Sequence, residues 1–321
     1  MVHRPLLLVA LGLLALAGPA QPVSQPAPGE DTGQRAKEQL EVFMTARRSI
    51  FPCEEALRRA ADYIEEELPP VSVVATVDHA SLAGEFGLEL RSTMLLTFGN
   101  PTLGTALMQS NAEIGKDLPL KLVCWETADG ETEVAYNDPA YLARRYAIDD
   151  RDEQFAQMRG ALSAISEFAA GPQPQREVLA PVTPPGLLRK TSSFSVAETI
   201  ERAREQAGGD TFVVDHAAAA AGVGLELLPT TVLFISNFES IILGTDVMQA
   251  VQRAGVDFPL MVLASEDEAG VVTITTDDLE VQLAQRQGAE GQDAEFAIRS
   301  LKNVLDRLTD HAAGRLTPGR R

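Results

Sequence analysis

The sequence predicts an α+β protein in which two diverged copies of one domain each carry a mainly antiparallel sheet packed against helices. Three observations support this. An ordered internal repeat runs through most of the chain. Within each copy the apolar spacing switches between the helical period and the strand period. A glycine hairpin turn falls at the same place in both copies, at Gly130 and Gly270.

The repeat is read first, because a self-similar chain folds as self-similar units. Val74-Ala75-Thr76-Val77-Asp78-His79-Ala80 stands against Thr211-Phe212-Val213-Val214-Asp215-His216-Ala217, and Gly87-Leu88-Glu89-Leu90 against Gly224-Leu225-Glu226-Leu227, both 137 residues apart. Gly104-Thr105-Ala106-Leu107-Met108-Gln109 then meets Gly244-Thr245-Asp246-Val247-Met248-Gln249, and Asp117-Leu118-Pro119-Leu120 meets Asp257-Phe258-Pro259-Leu260, now 140 apart. The second copy therefore carries three extra residues between Asn237 and Gly244. The copies span 51–171 and 194–314. Between them, 172–193 holds five prolines and reads as a semi-extended linker, and 315–321 is a tail.

Each copy is expected to open with an amphipathic helix. In the first, Leu57, Ala60, Ala61, Ile64 and Leu68 form the apolar stripe, and Pro69-Pro70 ends it. A β-branched strand follows over 71–77, then a small helical or irregular piece to Gly87 and a strand over 93–98. Gly99-Asn100-Pro101 breaks that strand, and a helix of about ten residues starts near Gly104. Strands at 120–126 and 132–137 flank the Asp129-Gly130 turn, and a last helix covers 153–168, matched by 295–308. Ahead of the first copy, 21–33 is rich in Pro, Gln and Gly. Leu40, Phe43 and Met44 then suggest an extra helix over 34–48 within the leading stretch 21–50.

The Asp-His pair, the Gly-Leu-x-Leu stretch, Gly99-Asn100-Pro101 with Gly104-Thr105, Asp117-Leu118-Pro119-Leu120 and Tyr136-Asn137-Asp138-Pro139 together resemble domain-of-unknown-function family 302. The resemblance covers nearly all of the first copy and most of the second. It implies a TATA-binding-protein-like fold, a curved antiparallel sheet gripping helices, and no established activity. The second copy departs from the pattern, with Ser236-Asn237-Phe238 and Thr276-Asp277-Asp278-Leu279 at two of these places.

Arg4, an apolar run over 6–17 and the small residues Gly18-Pro19-Ala20 read as a secretory signal peptide over 1–20, which places the protein in the periplasm or outside the cell. Export permits a disulfide between Cys53 and Cys124, a pairing that the spacing leaves open. Both lie in the first copy, so a bridge would be an addition to the basic fold. The net charge is -19, and 22 of the 27 basic residues are arginine without forming a cluster. That balance argues against nucleic acid and anionic membrane as partners.

Candidate chemistry is sparse. His79 and His216 occupy equivalent strand ends, each on the face of its strand's apolar residues, where a structural role competes with ligand binding or proton transfer. On that geometry Asp78 points to the opposite face and cannot orient His79. The turn from Gly99 to Thr105 could present free N–H groups to an anion, although it is neither a phosphate loop nor a dinucleotide fingerprint. His79, Asn100, Glu126, Tyr136 and Asp138 could converge at one rim of the sheet as the polar part of a small-molecule site. No nucleophilic triad, zinc spacing or carboxylate dyad is legible, and no cofactor is indicated. The leading expectation is a non-catalytic module of the cell envelope that binds a small ligand or an envelope protein. Its rivals are an enzyme built around His79 and Tyr136, and a metal or cofactor site shared by His79 and His216. The two copies are expected to pack as a pseudo-two-fold pair, because a self-associating domain that duplicates keeps its self-complementary patch. The first copy, which keeps the full motif set, is expected to carry the function.

Overall fold

The computed structural model describes residues 39–315. Both repeats begin with a strand, not a helix. The first runs β1 (Leu40–Ser49), α1 (Cys53–Glu67), β2 (Ser72–Asp78), α2 (His79–Glu85), β3 (Thr93–Gly99), α3 (Pro101–Ser110), a 3-10 turn (Ala112–Lys116), β4 (Leu120–Glu126), β5 (Thr132–Asn137), α4 (Pro139–Arg145) and α5 (Asp152–Ala170). A further strand, β6 (Gln175–Pro181), follows. The second repeat runs β7 (Leu187–Ser192), α6 (Val196–Ala207), β8 (Asp210–Asp215), α7 (His216–Gly222), β9 (Thr230–Ser236), α8 (Phe238–Ala250), a 3-10 turn (Gln252–Asp257), β10 (Leu260–Glu266), β11 (Val272–Asp277), a π-helical turn (Glu280–Arg286) and α9 (Gln292–Ala312).

The sheets have orders β2-β3-β4-β5-β1-β6 and β7-β11-β10-β9-β8, and every pairing is antiparallel. Apart from β6, the two orders are the same. The chain is thus two copies of one α+β fold.

The expected helix over 34–48 is replaced, from residue 40 onward, by β1; residues 34–38 lie outside the described residues. Phe43 and Met44 are adjacent and both fully buried, which a one-faced helix does not require and a strand covered on both faces does. The linker over 172–193 is likewise structured: β6 pairs with β1, and β7 pairs with β11 as the first strand of the second repeat. Its prolines sit ahead of β6 (Pro172, Pro174), at its last residue (Pro181) and between the two strands (Pro184, Pro185), outside the strand interiors. The predicted leader over 1–20 lies outside the described residues.

Long helices cover one face of each sheet, α1 and α5 on the first and α6 and α9 on the second. Cys53, at the start of α1, is joined to Cys124 of β4 by a disulfide. The matching places in the second repeat hold Val196 and Ala264, both buried. The bridge is an addition to the basic fold.

The other faces meet each other. Lys121 of β4 reaches across to Met261, the residue at its own position in the other copy, with Nζ 3.1 Å from Sδ, so the pseudo-two-fold axis passes between them. The contacts around this axis are reciprocal. Neutral His79 donates through Nε2 to the Gly255 carbonyl at 3.2 Å, and His216 donates to the Gly115 carbonyl at 2.9 Å. Gln109 donates to the Glu226 carbonyl, and Gln249 to that of Glu89. The backbone approaches closely at both glycines: a Cβ on Gly115 would lie 3.0 Å from the Met108 sulfur and 3.2 Å from the His216 ring, and one on Gly255 3.0 Å from the Thr93 methyl and 3.4 Å from the His79 ring.

Beside the axis lies a buried ionic network. Lys116 bridges Asp117 at 2.9 Å and Asp277 at 2.8 Å, and Arg145 bridges the same two carboxylates. Burial alone would raise both aspartates, but the Lys116 and Arg145 charges outweigh it and hold both carboxyls below their usual range. Asp257, the counterpart of Asp117, lacks such pairing. Burial and the nearby Asp277 charge push it up to about 6, and it accepts from Gln282 and Gln287 instead.

A candidate binding cavity at the repeat seam

The first repeat contains a cavity of about 410 Å³, within the range of small-molecule sites. Local sequence builds it. Pro69-Pro70 ends the first helical segment and turns the chain into β2. β3 stops at Gly99, and Asn100 caps α3 by accepting from the Thr102 and Leu103 N–H groups. The short α3 leaves a gap toward α5, bounded by Phe98, Leu118, Met158 and Ile165. The second repeat supplies the remaining wall through Val214, His216 and Ala219.

The equivalent place in the second repeat holds only about 20 Å³. Asn237 caps α8 as Asn100 caps α3, but the three extra residues make α8 longer, 13 residues against 10, by about one turn at its start. That turn carries Ser240 and Ile241 into the space and lets α8 pack along α9. Phe258 stands where the first repeat has Leu118, and Leu82 where it receives Ala219.

The cavity is electrostatically bland. Glu67 is the one charged side chain among the described residues lining it. His216 is kept neutral because burial lowers its pKa. Thr105, in the first turns of α3, is 1 % exposed, and its hydroxyl has no hydrogen-bond partner within the protein. Its counterpart Thr245 donates to the Ile241 carbonyl at 2.8 Å.

The six residues singled out from sequence do not gather at one rim. His79 and Glu126 lie at one end of the first sheet, while Asn100, Tyr136 and Asp138 lie toward the other. The length of β3, about 20 Å at ~3.3 Å per residue, separates the ends. His79 does not continue β2 but begins α2, capped by Asp78, whose carboxylate accepts from the Ser81 N–H and hydroxyl. Burial pushes His79 down to about 4. Glu126 is exposed and engages its neighbours only through its main chain. Tyr136 is buried under β6 and accepts from Gln175, and burial raises its pKa. Asp138 caps α4 and accepts from the Thr45 hydroxyl.

Of the six, Asn100 and His216 line the cavity, and they come from different repeats. The Asn100 side chain occupies the α3 amides, so that turn does not present them to an anion. Sequence reasoning passed over Leu118, Met158 and Ala219 as site residues and took Thr105 only as the end of the Gly99 turn. The one signal pointing at them was the change of repeat spacing between Asn237 and Gly244, which marks the inserted turn that fills the second site.

Comparison with known proteins follows the same division into repeats. The sequence profile described as "Domain of unknown function DUF302" matches residues 46–165 and 188–308. The Brucella suis protein named "Fluoride-specific ion channel FluC 1" is 39% identical over 102 residues, 32% of this chain and 40% of that protein. The "Fluoride-specific ion channel FluC 2" of Brucella melitensis matches at the same identity over 38% of its length. The chain thus spans about two fifths of the curated relatives it matches. A crystal structure of an uncharacterized conserved DUF302 protein from Bacillus stearothermophilus aligns over 40% of this chain and 99% of its own, at 20% identity and a TM-score of 0.37. With both repeats matched, the chain belongs to the DUF302 family as a tandem pair of its domains.

Proposed function

We propose that this protein is an exported, non-catalytic binding module that takes a small, mainly apolar molecule into the cavity of its first repeat, with the second repeat acting as the wall that completes it. The observation that carries this reading is the contrast between about 410 Å³ in the first repeat and about 20 Å³ at the equivalent place in the second. A cleft of this size kept in one copy of a shared fold and filled in the other is a difference that the shared fold does not require. The envelope setting draws support from the leader-like N-terminus and from the Cys53–Cys124 disulfide, a bond that persists in oxidising compartments. The partial likeness to proteins named as ion channels fits a module that accompanies a membrane. No helix among the described residues is long and apolar enough to cross one, and three fifths of those relatives is unmatched.

The rival readings draw less support. His79 and Tyr136 are buried at opposite ends of the first sheet, and His79 and His216 face different cavities. Titration with the neutral fluorophore N-phenyl-1-naphthylamine tests the proposal. Saturable binding is expected, weakened at least tenfold by Leu118→Phe or Ala219→Leu, which copy the second repeat's fillings into the first. Binding unaffected by both variants would overturn it. N-terminal sequencing of protein recovered from the envelope or medium tests export.

A further inference from the structure

We infer that the cavity selects uncharged molecules carrying one hydrogen-bonding group, and that the Thr105 hydroxyl is the group that reads it. This rests on the reading of the cavity as a binding site and specifies the chemistry of its occupant.

Two independent observations lead here. The first is the fate of one threonine in two copies. In α8 the Thr245 hydroxyl is satisfied by the carbonyl four residues earlier, the usual resting place of a helical threonine. In α3 the Thr105 hydroxyl makes no such bond, and the residue lines the cavity with its oxygen shielded from water. A buried hydroxyl without a partner is destabilising, so it is retained at a cost that a ligand's polar atom would offset. The second is charge. A carboxylate or phosphate buried in an apolar site needs a cationic or multiply donating partner. The described lining offers no lysine or arginine, its histidine donates its Nε2 proton to Gly115, and its one charged group, Glu67, repels anions. The Asn100 Oδ1 is committed to the α3 amides. The other polar groups on the lining, the Ser72 hydroxyl and the Gln157 and Asn100 amides, are uncharged, so the cavity suits an alcohol, ketone, ether or amide and penalises a fatty-acid anion.

Competition against bound N-phenyl-1-naphthylamine at pH 8 tests this with three probes of matched chain length: octan-1-ol, octanoate and 1-chlorooctane. Octanol is expected to compete at least tenfold better than octanoate. Thr105→Val, which removes the hydroxyl and keeps the shape, should weaken octanol by roughly three- to tenfold, the worth of one hydrogen bond, and leave 1-chlorooctane unchanged. Thr105→Ser should restore the octanol affinity. Thr105→Val should also melt no lower than wild type, since no protein partner is lost. Equal competition by octanoate and octanol, or a Thr105→Val protein that still favours octanol, overturns the inference while the fluorophore binding and its Leu118→Phe loss keep the binding site itself. Absence of fluorophore binding to the wild type removes both.

Discussion

The two repeats share strand order, capping residues and reciprocal seam contacts, yet one encloses a cavity and the other fills the same space. The difference lies in one helical turn and two side chains, Phe258 against Leu118 and Leu82 against Ala219. One fold thus tolerates both outcomes, and the frame and the site are separable. The frame is maintained by contacts that both copies make, above all the histidine-to-glycine pairs. The site is what remains where the copies differ. The seam asymmetry follows the same logic: Asp277 ends β11 where Asn137 ends β5, so the buried charge pairs form on one side of the axis only.

The sharpest break in that comparison is at this pair. Asp277→Ala strips Lys116 and Arg145 of a shared buried carboxylate and is expected to cost about 3–5 kcal/mol, whereas Asn137→Ala, whose Oδ1 has no partner, should cost far less. Urea unfolding of both variants measures the gap, and equal losses would show that the network does not favour one copy.

The disulfide supplies the next contrast. It closes a separation of 71 residues within the first repeat, for which chain entropy gives a stabilisation of about 4 kcal/mol. Reduction, or paired Cys53→Ala and Cys124→Ala changes, should lower unfolding stability by that order. Amide exchange should show the loss concentrated in α1 and β4, with α6 and β10 little affected.

Acidification sharpens the comparison of the two histidines with the unpaired Asp257. His79 is neutral in the fold, with a pKa pushed to about 4 from an ordinary 6.5, so its contribution is fully present above pH 6.5 and is lost as pH falls toward 4. That is on the order of 3 kcal/mol, and His216, shifted the same way, adds to it. Asp257 works in the opposite sense. Raised to about 6, it binds a proton in the fold before it does so in the unfolded chain, which favours the fold as pH falls from 6 toward 3.8. Wild-type stability should therefore decline only gently between pH 6.5 and 4, and Asp257→Asn should make the decline steeper. An unchanged slope in that variant would contradict the compensation.

The smallest expected effect concerns the two caps. Asn100→Ala should cost about 1 kcal/mol. Asn237→Ala should cost somewhat more, since Asn237 takes part in a capping box with Ser240 and donates to the Ala207 carbonyl. Thermal denaturation of the pair checks the order.

Much of the frame was legible in the residues themselves. The shared Asp-His, Gly-Thr and Asp-x-Pro segments revealed the duplication, the alternation and glycine turns placed most strands, and the spacing change located the inserted turn. β1 was not legible, because Phe43 and Met44 are buried on opposite faces and their spacing carries no strand period; only a sheet covered on both sides makes such a segment a strand. The prolines of 172–193 read as a spacer for a related reason, since β6 and β7 are strands by virtue of the edges they pair with.

Sequence by itself determined that there are two copies, that each is α+β, and that the second departs from the first at particular positions, because these depend on local pattern and on matching one stretch of chain with another. Tertiary structure alone decided what those departures do. His216 belongs to the second repeat in sequence and to the first repeat's cavity in space, and Thr105 lacks the bond to the carbonyl four residues earlier that its counterpart Thr245 makes. Whether a longer helix and a larger ring fill a space or merely adjoin it depends on distances across the seam, which no local pattern encodes.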